Sequence, residues 1–239
     1  MEHVWLNIKD KQFIVIGYGS NMAQDAMNRY SKENVIYGTF NSKNPSIKDN
    51  NNIYLSQLDL QNEDNIKDFV DSIKKGLSEI VVINFAVYNN DSLVVNQELD
   101  SWNRTLNINV SSSFLLAKYL FPLMIQNKWG RFIHISSVKG ARGSVGATAY
   151  SASKSALCGF SRSLAKECAR FGITSNVISL GYFDSGLYKK LDKKMQKLYI
   201  GHVPSKKLGS AEDIYHAINF LISSDYTNGS VITIDGCME

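Results

Sequence analysis

Cysteine and proline are scarce, with three of each in 239 residues. Cys158, Cys168 and Cys237 are odd in number and show neither a CxxC pair nor metal-ligand spacing, which fits reduced thiols and excludes a disulfide framework. The few prolines form no linker, and with no internal repeat or low-complexity tract nothing divides the chain, so residues 1–239 read as a single domain. His3, His134, His202 and His216 are scattered, and no metal is expected. A strong charge of either sign is also lacking. The net charge is +4 and no basic cluster is interleaved with aromatics, which argues against a nucleic-acid surface. The longest apolar run, near IVVINFAVY, is far short of a bilayer span, and MEHVWLNIKDK carries charges where a secretory signal is apolar. A cytoplasmic protein without a membrane partner is the expectation.

Hydrophobic residues at 44% and charged residues at 20% are ordinary for a soluble protein with a substantial core. The most informative stretch is SSVKGARGSVGATAYSASK, from Ser136 to Lys154. Tyr150 and Lys154 are four apart, and the apolar spacing after them predicts a helix that presents both on one face. A phenol with a pKa near 10 is a poor acid-base catalyst at neutral pH, and an ammonium beside it favours phenolate. Ser137 lies thirteen residues earlier, after the strand-like RFIHIS, where its hydroxyl can hold a carbonyl oxygen beside the tyrosine. This grouping suits carbonyl reduction.

Around it the chain alternates buried strands with helices. Lys11–Ile16, Asn34–Phe40, Ile53–Leu58, Glu79–Phe85 and Gly172–Ser179 read as strands of a parallel sheet. NEDNIKDFVDSIKKG and AEDIYHAINFLIS read as amphipathic helices, and residues 100–128 as one long helix or a broken pair. The fold class is α/β, a Rossmann-like doubly wound parallel sheet with helices on both faces. Between the first strand and helix, Gly17, Gly19, Ser20, Asn21 and Met22 form a small-residue turn at the place where such folds hold a pyrophosphate. The alternative is a tight turn that has lost its cofactor. After the second strand no acid stands where a ribose hydroxyl would be held; Ser42 and Lys43 are available to a 2′-phosphate instead, which favours NADP(H), with NAD(H) the alternative.

Ser137 with Tyr-Ser-Ala-Ser-Lys at 150–154 resembles the short-chain dehydrogenase/reductase family, and the resemblance runs from about Lys11 to Cys237. It implies about seven strands and a catalytic tetrad of Asn109, Ser137, Tyr150 and Lys154, in which Asn109 holds a relay water and Lys154 lowers the tyrosine pKa and holds the nicotinamide ribose. It implies cofactor contacts at Asp59 and Leu60, at Asn84 and Ala86 in the place of Asn-Asn-Ala-Gly, and at Gly181, Phe183 and Ser185 in the place of Pro-Gly and a later threonine. The nucleotide loop departs from the family pattern, with Ile16, Asn21 and Ala23 at three of its four motif positions.

The overall pattern is most like the 3-oxoacyl carrier-protein reductases, although only Lys128 keeps one of their two carrier-binding basic positions and Phe171 falls at the other. A reductase of a sugar or small keto compound remains open, as does a non-catalytic dinucleotide-binding scaffold. An enoyl reductase of the divergent type is disfavoured, because the lysine follows Tyr150 by four residues rather than seven. The resemblance also implies a homotetramer, or a homodimer, through the helices that carry Asn109 and Tyr150. Lysines 189, 190, 193, 194, 197, 206 and 207 read as a solvated face, or as an attraction for an anionic substrate.

Overall fold

The computed structural model describes residues 8–42, 45, 52–184, 188 and 192–238. Seven strands form one parallel sheet in the order β3-β2-β1-β4-β5-β6-β7. They are β1 (Gln12–Ile16), β2 (Val35–Phe40), β3 (Ile53–Gln57), β4 (Ile80–Asn84), β5 (Gly130–Ser137), β6 (Ile173–Leu180) and β7 (Val231–Ile234). β4 and β6 are buried along their whole length, β4 as the unbroken apolar run predicts for a central strand and β6 with four polar residues inside, and β3 and β7 close the edges.

Alternation along β1 sends side chains to two cores. Phe13 and Val15 meet Ala23, Ala26 and Met27 of α1 (Asn21–Met27) and Ile214, Ile218 and Leu221 of α8 (Ala211–Ser223). Ile14 and Ile16 meet Ile66, Phe69 and Val70 of α2 (Glu63–Ile73), together with Leu116 and Leu120 of α4 (Ser112–Asn127) and Leu164 of α6 (Thr148–Cys168). Asn62 caps α2 by accepting from the Asp64 and Asn65 N–H groups, and Ser210 with Asp213 forms a capping box on α8.

The expected long helix is α3 (Leu99–Leu106) running into α4 through one π-helical segment, Asn107–Ser111. Residues 99–127 are long and apolar enough to cross a membrane by composition, but one face of α4 is buried against the sheet and Phe114 stands out on the other. Two further α-helices are α5 (Val138–Arg142), which the sequence does not signal, and α7 (Lys193–His202). The chain winds outward from β1 to β3, then restarts beside β1 at β4, and this reversal opens a crevice at the carboxyl ends of the strands.

Candidate active site

β5 ends at Ser137, and the serine hydroxyl caps α5 by accepting from the Lys139 N–H at 3.3 Å. After the ten residues 138–147, α6 crosses back over the end of β5, with Tyr150 in its first turn and Lys154 one turn later. Two bonds fix that crossing. Lys154 Nζ donates to the Ile135 carbonyl at 2.8 Å, and Ser136 Oγ donates to the Lys154 carbonyl at 2.8 Å. The Lys154 ammonium then stands 5.7 Å from the centroid of the Tyr150 ring, and Ser137 hydrogen-bonds the phenol.

Asn109 sits in the π segment, 1% exposed, with both amide N–H groups and one Oδ1 lone pair engaged. Oδ1 accepts from the Tyr88 N–H at 2.7 Å, while Nδ2 donates to the Tyr88 carbonyl at 3.0 Å and to Ser153 Oγ at 2.9 Å. Ser153 donates in turn to the Tyr150 carbonyl. The four expected residues therefore meet in one place, with Asn109 joined to the tyrosine's helix through Ser153.

The electrostatics differ from the expectation. Burial pushes the Tyr150 phenol above its ordinary value, the Ser137 hydrogen bond offsets part of this, and Asp91 adds to the rise. The Lys154 ammonium, 5.7 Å from the ring centroid, does not bring the phenol below that ordinary value. Burial brings Lys154 itself down to about 8. Below it, His134 is brought down to about 4 by burial and by the Lys154 charge. Sequence reasoning missed Lys139, whose Nζ is 5.9 Å from the Tyr150 ring centroid, and Asp91; both lie in segments without periodicity.

The expected cofactor residues line the crevice unevenly. Gly17 has φ +79°, and a Cβ there would lie 2.7 Å from the Ala86 nitrogen, so only glycine permits the β1 and β4 turns to approach this closely. Gly19 is half-buried, Ser20 caps α1 through the Ala23 N–H, Asn21 is exposed, and Met22 leans on the core. Asn84 is committed to structure: Oδ1 accepts from Ala86 N–H, and Nδ2 donates to Ser113 Oγ at 2.9 Å. Ser42 is exposed past the end of β2. Asp59 accepts from the Gln61 N–H, and Leu60 packs against the core. Asn41 and Asp59 also border a cavity of about 470 Å³ between β3 and α2, at the far end of the sheet from Tyr150. At Gly181 a Cβ would lie 2.7 Å from Asp235 Cα. Phe183 is 6% exposed, with its ring inside the core and packed over Gly209, so it is its backbone that faces a ligand. Lys43 and Ser185 lie outside the described residues.

Residues 38–239 match the profile of a family described as enoyl-(acyl carrier protein) reductase. A 3-oxoacyl-[acyl-carrier-protein] reductase FabG of Buchnera aphidicola subsp. Baizongia pistaciae is 36% identical over 231 residues, covering 93% of each chain. The FabG of Pseudomonas aeruginosa is 33% identical over 184 residues, 76% of this chain and 74% of its own, and nodulation protein G of Azospirillum brasilense is 31% identical over 186 residues, 77% and 76%. The chain belongs to the short-chain dehydrogenase/reductase family. As a member it is an NAD(P)-dependent oxidoreductase acting on a carbonyl/alcohol pair. The residues fit a nicotinamide dinucleotide: Gly17, Gly19 and Ala86 keep the edges of β1 and β4 free of bulky side chains, and Tyr18, which would otherwise fill that edge, is turned into the core at 3% exposure over Gly38.

Proposed function

We propose that this chain reduces a 3-oxoacyl thioester to the 3-hydroxyacyl thioester with NADPH, Tyr150 giving the proton. What carries the reading is the meeting of Ser137, Tyr150 and Lys154 at the carboxyl end of β5, in a chain whose relatives are 3-oxoacyl reductases. The enoyl description of the matching profile points to a different double bond. The four-residue spacing of Tyr150 and Lys154 favours the carbonyl.

When bound, the nicotinamide supplies the hydride. Ser137 Oγ holds the substrate carbonyl oxygen beside the Tyr150 hydroxyl, which protonates that oxygen as charge develops on it. Lys154 holds the nicotinamide ribose, and its positive charge favours the phenolate that the tyrosine becomes. Asn109 positions the Tyr88 backbone and, through Ser153, the helix bearing Tyr150. With its amide engaged, a relay water falls to its backbone carbonyl or the second Oδ1 lone pair. Gly17 to Met22 cradle the pyrophosphate, Asp59 and Leu60 border the adenine, Ala86 and Gly181 give backbone room, and Ser42 and Lys43 meet a 2′-phosphate.

A carrier protein is the partner that the relatives' names suggest. Lys128 is exposed, and the guanidinium of exposed Arg170 lies 4.7 Å over the Phe171 ring, so a cation also stands at the second of the two carrier-binding positions. Lys193, Lys194 and Lys197 of α7 are exposed and supply a further field for a phosphate-bearing thioester. The exposed Phe114 flank of α4 suits self-association, as a tetramer or a dimer.

The first experiment titrates the protein with NADPH and NADH by nicotinamide fluorescence, beside a Ser42→Ala/Lys43→Ala variant. It then follows turnover of 3-oxobutanoyl and 2-butenoyl thioesters of pantetheine, coenzyme A and carrier protein. Tight NADPH binding that weakens in the variant, with reduction of the 3-oxo thioesters alone, is the expected result. Rapid reduction of a free ketone or keto sugar with none of the thioesters would overturn the substrate assignment, and no nucleotide binding would overturn the cofactor reading.

A further inference from the structure

Tyr150 has a second cation beside it. Lys139 Nζ stands 5.9 Å from the tyrosine ring centroid, against 5.7 Å for Lys154 Nζ, and the two lysines come from different helices. The position of Lys139 is fixed by the same groups that build the site. Its N–H donates to Ser137 Oγ, and the next residue, Gly140, presses α5 onto α6: a Cβ there would lie 3.0 Å from the Lys154 backbone carbon and from the Ser155 nitrogen. Ser155 Oγ closes the contact by donating to the Gly140 carbonyl. Any side chain at 140 would move α5, and Lys139 with it, away from the tyrosine.

The Lys139 side chain is half-buried, and among the described residues no carboxylate or hydrogen-bond acceptor holds its ammonium. Lys154 is engaged by the Ile135 carbonyl, and Asp91, from the connection between β4 and α3, opposes negative charge on the phenol. His134 faces Lys154 from β5 beneath, and Ser137 gives Tyr150 a hydrogen bond. These groups surround the tyrosine, and Lys139 is the cation among them with no other engagement. We propose that Lys139 is a positioning residue for the reaction: its ammonium stabilises the negative charge left on Tyr150 Oη when the tyrosine proton passes to the substrate oxygen. In that step the O–H bond of Tyr150 breaks and an O–H bond forms on the alkoxide produced by hydride transfer. The tyrosine keeps the electron pair until solvent reprotonates it.

The proposal rests on Tyr150 as the proton donor. A unit charge this near the ring, in surroundings between protein and water, moves such an equilibrium by up to roughly one pH unit. The test compares Lys139→Met, Lys139→Gln and Lys139→Arg in the full chain, measuring kcat against pH for oxidation of the 3-hydroxyacyl thioester, the direction that requires phenolate. Losing the cation makes phenolate harder to form, so the acid limb should move to higher pH by up to about one unit in the Met and Gln variants and stay in place in the Arg variant. Unchanged NADPH binding and melting temperature show that the fold is intact, and the Gln variant serves if Met does not fold. An unmoved limb, including the case where KM rises only for anionic substrates, overturns the role of Lys139. Tyr150→Phe separates the two readings: near-normal turnover in that variant removes the tyrosine as donor, whereas lost turnover with a limb insensitive to Lys139 removes only this inference.

Discussion

His134 and Lys154 face one another beneath the active-site helix, and each is driven toward its neutral form. The imidazole is 3% exposed and the lysine 4%. His134 Nε2 lies 3.2 Å from Ser175 Oγ, and its Nδ1 has no partner among the described residues, so a proton added there gains no new hydrogen bond and meets the lysine's charge. The site thus keeps a buried ammonium next to a group that cannot share its charge, a strained arrangement that stability measurements can read.

Lys154→Met should stabilise the fold while removing activity. The lysine falls from an ordinary value of 10.5 to about 8 on folding, so between those values the unfolded chain binds the extra proton and wild-type stability rises with pH. The cost of the buried ammonium is fully present below about pH 8, at about 3 kcal/mol, and the loss of the bond to Ile135 offsets part of what its removal returns. Urea midpoints at pH 7 should favour Lys154→Met by about 1–3 kcal/mol, and the gap should close by pH 10.5. A variant less stable than wild type at both pH values would contradict this.

His134→Asn should flatten the acid side of the stability curve. The folded value of about 4 lies below the unfolded 6.5, so the histidine's contribution is complete above pH 6.5, falls as the pH drops, and is gone by pH 4. The difference over that window is about 3 kcal/mol. Melts of both proteins at pH 7 and pH 4.5 check it; parallel curves would mean that His134 is protonated in the native state.

The meeting of Ser137, Tyr150 and Lys154 was legible because they obey local rules: Tyr150 and Lys154 lie one helical turn apart, and a strand ends at Ser137, whereas Asn109 carried no local signal and came only from the resemblance. β1 and β4 were legible as unbroken apolar runs, whereas β6 buries Thr174, Ser175, Asn176 and Ser179 and shows no such run. Lys139 was not legible, because VKGAR is five residues with an interior glycine and carries no helical period. Phe183 was placed by its position in the chain, and its true environment depends on Gly209, which comes back beside it only in the folded sheet. The Tyr150 phenol shows the same limit. Sequence names its charged neighbour but not the burial, nor the carbonyl that engages that neighbour.

Gly17→Ala should weaken both fold and cofactor binding. The backbone at φ +79° disfavours any side chain, and the new methyl would meet the Ala86 nitrogen at 2.7 Å, so the β1 and β4 turns must separate. A loss of about 2–4 kcal/mol in stability and a tenfold or greater rise in the NADPH dissociation constant are expected. Denaturant melts and fluorescence titration measure them. Wild-type affinity in a destabilised variant would separate the turn from the nucleotide.

Asn109→Asp should be worse than Asn109→Ala at neutral pH, although it keeps the shape. The asparagine makes three hydrogen bonds, two of them as donor to the Tyr88 carbonyl and Ser153 Oγ. An aspartate retains only the acceptor and buries a charge, whereas alanine leaves the Tyr88 groups unpaired but neutral, at about 2–3 kcal/mol. Protonated aspartate regains one donor, so the Asp variant should recover relative to Ala as the pH falls toward 5. Both variants should lower kcat by tenfold or more, because the link through Ser153 to the Tyr150 helix is cut. If Asn109 served only as a packed amide, the two variants would lose stability without that loss in kcat.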